Sequence, residues 1–144
     1  MLEKKEIISP IYGTYIFLIT DTVVLINTTP HAIRFAEPDG VVELEATPSV
    51  LLNASVEERE VGGDLVTTCF KPSPEGWKII DRIEKVWASD PELSSKKLRI
   101  IGSIIACQAY PGKCMGMIPY PGFERVAPAQ KLMRLDKFNV YGVK

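Results

Sequence analysis

The chain has 144 residues, of which 46% are hydrophobic and 24% charged, close to the composition of an ordinary globular domain. Its 17 Lys and Arg residues nearly balance its 18 Asp and Glu residues, which leaves a net charge of −1. The composition excludes a disordered polar chain, a collagen-like repeat and a coiled-coil rod, and the charge excludes a global basic field for nucleic acids. The length predicts one domain.

Short apolar runs rich in β-branched and aromatic residues predict strands through the first third of the chain. Residues 15–19 and 23–26 form two such runs, and both predict strands buried on two faces. Pro30 predicts a break after the second run, because proline lacks the amide hydrogen that a sheet needs. Strand character returns at residues 32–35, and alternating apolar and acidic residues over 42–46 predict a half-buried strand.

A diglycine turn at residues 62–63 predicts a β-hairpin in the middle of the chain. It joins predicted strands over residues 56–61 and 64–70, and the charges on the first of these strands predict an exposed edge. Residues 98–102 and 138–141 predict two further strands.

One long amphipathic helix is predicted near residues 74–88. Ser73 is a suitable N-cap, and a proline occupies the first helical position. Trp77 and Trp87 lie on the apolar stripe of this helix, so both are expected to be buried against the sheet. Residues 90–95, which follow, are predicted to be a loop.

A short helix is predicted from Ser103, as N-cap, to residue 109, and frequent prolines and glycines predict an irregular segment over residues 110–128. Together these elements predict an α+β, mainly β fold: a twisted, largely antiparallel sheet or small barrel with one packed amphipathic helix. Residues 22–144 are predicted to be a single β-rich domain.

The cysteine and histidine residues of the chain predict no metal or cofactor site. Cys69, Cys107 and Cys114 are an odd number without Cys-x-x-Cys spacing, so they predict free thiols in a reducing compartment; a disulfide or a metal role is the alternative. His31 is the only histidine, and the common nucleotide-binding and hydrolase motifs are missing, so no cofactor and no catalytic residue is assigned. The N-terminus lacks a signal-peptide pattern and no stretch predicts a membrane span, which indicates a cytoplasmic protein.

The segment Asn27-Thr28-Thr29-Pro30-His31 resembles an Asn-Leu-Thr-Pro-His signature near the start of small uncharacterised proteins of phages, prophages and related mobile elements. Weaker similarities follow in the same order, and together they cover residues 22–144. The resemblance implies a mobile-element origin, in the cytoplasm of a host cell or in a virion. Such proteins usually open at the motif, so the resemblance implies that residues 1–21 are an N-terminal extension, which its apolar run predicts to form a strand. The chain also departs from the pattern in Thr28, where leucine is usual, and in its long helix, which resembles an insertion.

This motif also has a physical interpretation. The Thr-Pro step kinks the chain between two strands, and Asn27 or Thr29 can bond the backbone groups that Pro30 leaves free. His31 is expected to satisfy a buried carbonyl or carboxylate group and so fix the turn. The alternatives for His31 are a ligand contact or general base, and a metal ligand.

Charge is distributed unevenly along the chain. Residues 37–64 hold eight acidic residues and one basic residue, a net charge of −7, whereas residues 110–144 hold six basic and two acidic residues, a net charge of +4. A solvated strand face explains the acidic block. The basic third could present Arg125 and Arg134 to an anion, and Ser103 is a formal nucleophile candidate beside His31.

We therefore expect a non-enzymatic binding or assembly module of viral or mobile-element type. The alternatives are a small hydrolase or nuclease that uses His31 with Arg125 or Arg134, and a nucleic-acid-binding accessory protein that uses the basic C-terminal third. A concave pocket that holds His31, Ser103 and Arg134 would favour an enzyme or ligand binder. A flat surface with an exposed strand edge would favour assembly.

The apolar run in the N-terminal extension predicts a homo-oligomer, with a further protein or nucleic acid as a possible partner and no membrane contact. Tyr12, Tyr15 and Phe17 are the residues expected at its interface. The chain has only three Asn and two Gln residues, which favours a thermophilic source, although its three Cys and four Met residues point the other way.

Overall fold

The computed structural model describes residues 2–11 and 13–142, and it folds them mainly into strands. The strands are β1 (Glu3–Ser9), β2 (Gly13–Ile19), β3 (Val23–Asn27), β4 (Ile33–Glu37), β5 (Gly40–Leu44), β6 (Ser55–Gly62), β7 (Leu65–Lys71), β8 (Lys97–Ile101), β9 (Cys114–Pro119) and β10 (Met133–Asn139). The α-helices are α1 (Pro74–Ser89), α2 (Pro91–Ser94) and α3 (Ile104–Ala109). Short 3-10 turns lie at Pro48–Val50 and Pro128–Gln130.

Eight of these strands form one mixed sheet in the order β1-β2-β3-β8-β9-β10-β4-β5. The pairs β3–β8, β8–β9 and β10–β4 are parallel, and the other four pairs are antiparallel. The expectation of a largely antiparallel sheet is therefore only partly correct. Parallel neighbours need crossover connections, and α3 supplies one between β8 and β9.

The sheet curls so that its two end strands approach each other. Nζ of Lys4, in β1, lies 2.6 Å from Oε1 of Glu45, which follows β5. Nδ2 of Asn27, at the end of β3, lies 3.1 Å from the carbonyl oxygen of Leu44 in β5. These contacts join strands that are far apart in the sheet order.

Two apolar clusters fill the two faces of this curled sheet. The inner cluster joins side chains from both halves of the sheet: Leu18, Leu25, Ile33, Phe35, Leu44 and Ile101. The outer cluster packs the helices on β2, β3 and β8, and Ile80 and Ile83 of α1 are its buried helical residues nearest the sheet. Three helices, rather than one, thus cover the outer face.

Helix α1 begins where the sequence predicts, but its buried stripe differs. The Ser73 hydroxyl accepts a hydrogen bond from the Gly76 amide at 3.0 Å, which confirms the N-cap. Trp77 is 44% exposed, so its predicted burial is wrong, whereas Trp87 is half-buried and its Nε1 donates to the Lys96 carbonyl. Gly76 belongs to the buried stripe of this helix. A Cβ at this position would lie 1.7 Å from the Tyr110 hydroxyl oxygen, so there is no room for a side chain.

Two segments that the sequence predicts to be irregular form regular elements. The predicted loop at residues 90–95 contains α2, because the Asp90 carboxylate accepts hydrogen bonds from the Glu92 and Leu93 amides and caps it. The predicted irregular segment 110–128 contains β9, which pairs with β8 and β10.

The N-terminal extension forms two strands of the same sheet. β1 pairs with β2 along its whole length, and β2 pairs with β3. Tyr15 and Phe17 are fully buried in the outer cluster of their own chain. They therefore cannot form the predicted interface between copies, and Tyr12 lies outside the described residues.

Candidate functional site

The Asn27–His31 turn is held by the Asn27 side chain, which is fully buried. Its Nδ2 donates to the carbonyl oxygens of His31 at 2.8 Å and Leu44 at 3.1 Å. Its Oδ1 accepts from the Thr29 amide at 2.9 Å and lies 2.6 Å from the Thr29 hydroxyl. One amide group thus fastens the kink to β5, a contact that the sequence does not predict, in addition to its local bonds with Thr29 and His31.

His31 contributes its backbone to this turn rather than its ring. The side chain is exposed, and within the described residues its imidazole has no hydrogen-bond partner. The expectation that the imidazole satisfies a buried group is therefore wrong. The His31 carbonyl oxygen is the group that the turn uses, since it accepts from Asn27 and lies 2.9 Å from the Thr29 hydroxyl.

The other sequence-predicted residues lie on separate elements. The Ser103 hydroxyl accepts from the Ala106 amide at 3.1 Å, so it caps α3 as predicted. Arg125 is exposed in the segment between β9 and β10. Arg134, in β10, makes two parallel hydrogen bonds to Asp136 at 2.9 and 3.0 Å, which lower the pKa of the Asp136 carboxyl and raise that of Arg134.

A cleft of about 1060 Å³ contains Arg134 but not His31, Ser103 or Arg125. It is lined by the turn before β3, the turn after β4 and the start of β10: Leu2, Thr20, Asp21, Thr22, Ala36, Glu37, Pro38, Asp39, Tyr120, Pro121, Arg134, Leu135 and Asp136. His31 follows the opposite end of β3, about 13 Å along the strand. The structure does not bring the candidate catalytic residues into one cleft, and the described residues contain no cluster of three or more potential metal ligands.

The hairpin β6–β7 stands apart from the eight-stranded sheet; we call residues 55–71 the arm. Its two strands pair only with each other among the described strands. Every residue of β6 is exposed, and in β7 only Phe70 is half-buried. Phe70 packs on the outer cluster at the base of the arm. The tip is the turn at Gly62 and Gly63, which have φ angles of 142° and 58°.

Large aliphatic side chains of the arm lie in solvent. Val56, Val61 and Leu65 are 60–64% exposed, and Val66 is 48% exposed. A two-stranded hairpin gains little stability in water by itself, and these side chains gain nothing from burial in their own chain. The sequence predicts the two strands and their exposed edge. The absence of a third paired strand among the described strands depends on the whole topology, which no local sequence pattern encodes.

The arm is also acidic. Residues 56–66 carry a net charge of −3, because they contain one cation, Arg59, and four acidic residues: Glu57, Glu58, Glu60 and Asp64. Arg59 lies 3.9 Å from Glu57, and both side chains are exposed. An exposed apolar and acidic strand pair is suited to a surface that offers apolar side chains and cations.

The segment between β9 and β10 has that complementary character; we call residues 120–132 the basic loop. Tyr120 is 45% exposed and stacks edge-on against Phe123 with ring centroids 6.4 Å apart. Lys131 donates to the carbonyl oxygen of Glu124 at 2.6 Å and crosses the loop. Arg125 here and Lys137 in β10 are exposed and make no ion pair with any described residue.

Comparison of the chain with protein-family models, with curated proteins and with solved structures gives no significant match. The resemblance of the Asn27–His31 motif to mobile-element proteins therefore stays a prediction. No helix in residues 2–11 and 13–142 is long and apolar enough to cross a membrane.

Proposed function

We propose that the protein is a non-enzymatic assembly module in which the arm of one copy docks on the basic loop of the next. The exposure of the arm carries this proposal: a hairpin with four exposed aliphatic side chains is built for contact outside its own fold. The Asn27–His31 motif supports a mobile-element origin for such a module. Three free cysteines are in keeping with a reducing compartment, the host cytoplasm or a virion within it.

A second copy of the chain is the partner that the charges favour. The arm has a net charge of −3 over residues 56–66, whereas the basic loop carries the exposed Arg125 together with its aromatic pair, and the exposed Lys137 follows in β10. Each chain thus carries both an acidic apolar surface and a basic aromatic one. Because the two surfaces differ, copies can associate head-to-tail into a ring or a filament, or exchange arms reciprocally in a symmetric dimer.

Sedimentation velocity over a concentration series tests this proposal. We expect the full chain to associate. Leu65→Asp is expected to weaken association about tenfold or more, because the exposed Leu65 would be buried in the assembly and aspartate replaces this apolar contact with a charge. Raising the salt concentration is expected to weaken association of the unmodified chain as well, since the acidic and basic surfaces are exposed.

Ile11→Asp is the matched control, because Ile11 is an 80% exposed aliphatic residue at the tip of the β1–β2 hairpin. It is expected to leave association unchanged. If Ile11→Asp abolishes association while Leu65→Asp does not, the interface lies on the N-terminal extension. A chain that stays monomeric at every concentration contradicts the proposal.

A further inference from the structure

Two of the three cysteines lie together in the outer cluster. Sγ of Cys107, in the last turn of α3, lies 3.6 Å from Sγ of Cys114, the first residue of β9. Both side chains are fully buried and both thiols are free. The sulfur atoms are therefore at contact distance without a bond between them.

Gly102 makes room for the sulfur atom of Cys114. A Cβ at Gly102 would stand 2.2 Å from Sγ of Cys114. The Gly102 carbonyl oxygen also lies 3.7 Å from Sγ of Cys107. Gly102 thus lies beside both sulfur atoms, and the 3.6 Å between them must shorten to about 2.05 Å for a bond to form.

We infer that Cys107 and Cys114 form a redox modification site, in which hydrogen peroxide converts the two thiols to an intrachain disulfide. This inference does not depend on the proposed assembly. Cys69 is a third free thiol, exposed on the arm. No motif marks the Cys-x6-Cys spacing of the pair, although Cys107 lies on the helix that the predicted cap Ser103 begins.

The reaction balances with peroxide as the only co-reactant. The Cys107 sulfur attacks one peroxide oxygen, the O–O bond breaks, and the leaving hydroxide takes the thiol proton to become water. Cys107 is then a sulfenic acid. The Cys114 sulfur attacks it, the S–S bond forms, and the hydroxyl group leaves with the Cys114 proton as a second water. The two thiols lose two electrons and two hydrogen atoms, and peroxide is reduced.

The asymmetry of the pair assigns the attacking sulfur to Cys107. The hydrogen bond between the two thiols lowers the pKa of Cys107, against the effect of burial. The same hydrogen bond, together with burial, raises the pKa of Cys114. Cys107 is thus the thiol that ionises first, and Cys114 keeps its proton until it resolves the sulfenic acid.

Access to the pair is through α3, which has only six residues. Ile104 and Ile105, in its first turn, are 63% and 45% exposed, whereas Ala106, Cys107 and Ala109 are buried. The exposed end of a short helix opens locally at lower cost than the core does. Peroxide is close to water in size, and it needs only such an opening.

The test uses the full chain with Cys69→Ser, which removes the exposed thiol. The folded protein is treated with hydrogen peroxide, then unfolded in an alkylating reagent and weighed by mass spectrometry. We expect loss of two hydrogen atoms, no alkylated cysteine, and recovery of both thiols after dithiothreitol. Near-ultraviolet circular dichroism before unfolding confirms that the pair closed in the folded state.

Cys69→Ser with Cys107→Ala is the matched control, and it is expected to keep an alkylatable Cys114 without loss of hydrogen. The inference is overturned if Cys69→Ser keeps two alkylatable thiols at peroxide doses that oxidise Cys69 in the unmodified chain. It is also overturned if the sulfur atoms only gain oxygen that dithiothreitol does not remove, or pair only after unfolding.

Discussion

A single buried amide fastens the turn after β3, and its removal tests the residue-scale account. Asn27→Ala leaves the Leu44 carbonyl and the Thr29 amide without their partner in a buried site. Each unsatisfied group costs about 1–3 kcal/mol, so we expect the free energy of unfolding to fall by about 2–4 kcal/mol. Urea denaturation followed by tryptophan fluorescence measures this change.

His31→Ala is the control for that substitution within the same turn. The imidazole is exposed and without a described partner, so its loss is expected to change the free energy of unfolding by less than about 0.5 kcal/mol. A loss as large as that of Asn27→Ala would show that the ring fixes the turn.

The Asn27–His31 turn also shows what single-residue reasoning can reach. The Thr-Pro step and the two polar side chains identify a kink with local hydrogen bonds from the sequence alone. Whether the Asn27 side chain or the His31 ring fixes the turn depends on the carbonyl group of Leu44. Leu44 is 17 residues away from Asn27 and reaches the turn only when the sheet curls. No local pattern contains that contact.

At the scale of elements, Asp90 connects the first strand to the second helix, and it makes the stability pH-dependent. Nζ of Lys5, in β1, lies 2.8 Å from Oδ2 of Asp90, the N-cap of α2. The Lys5 ammonium group and the Leu93 amide hold the pKa of the Asp90 carboxyl below its ordinary value. The carboxylate therefore stabilises the fold fully above the ordinary pKa, and this contribution is lost as the pH falls through the lower pKa of the folded state.

We expect Asp90→Asn to lower the free energy of unfolding at pH 7 by about 1 kcal/mol, because asparagine keeps the cap but loses the ion pair. The difference from the unmodified chain is expected to vanish in strong acid, where Asp90 is neutral in both states. Urea titrations from pH 7 to about pH 2 measure it.

Asp81→Asn is the control for this prediction, because the Asp81–Lys85 pair has a similar length, 2.9 Å, but is exposed on both sides. Its effect is expected to stay within a few tenths of a kcal/mol at every pH. If Asp90→Asn lowers the free energy of unfolding by the same amount in acid and at neutral pH, the role assigned to the charge is contradicted.

Local chemistry explains which elements the sequence predicts correctly. The Ser73 cap, the Ser103 cap and the diglycine hairpin at residues 62–63 all depend on groups within a few residues, and all three are confirmed. Trp77 remains 44% exposed, and the ring against which it packs edge-on belongs to Tyr110, 33 residues further along the chain. The order of the strands and their parallel pairs are likewise set by distant contacts, which hydrophobic periodicity does not encode.

At the scale of the molecule, the fold places most apolar side chains in two clusters and leaves one hairpin outside both. Packing within one chain does not account for the arm. Its aliphatic side chains are exposed, and its two strands pair with no third strand among the described residues. The curled sheet, by contrast, buries Tyr15 and Phe17 of the N-terminal extension. We therefore propose self-association through the arm rather than through the extension.

The most direct test of this account is a cross-link between copies. Chains labelled with ¹⁵N are mixed with unlabelled chains and coupled with a carbodiimide, which joins carboxylates to amines in contact. We predict mixed-isotope peptides that join Glu57, Glu58 or Glu60 of the arm to Lys131 or Lys137. Coupling of the arm only within one chain, or mixed-isotope peptides that lack the arm, would contradict the account.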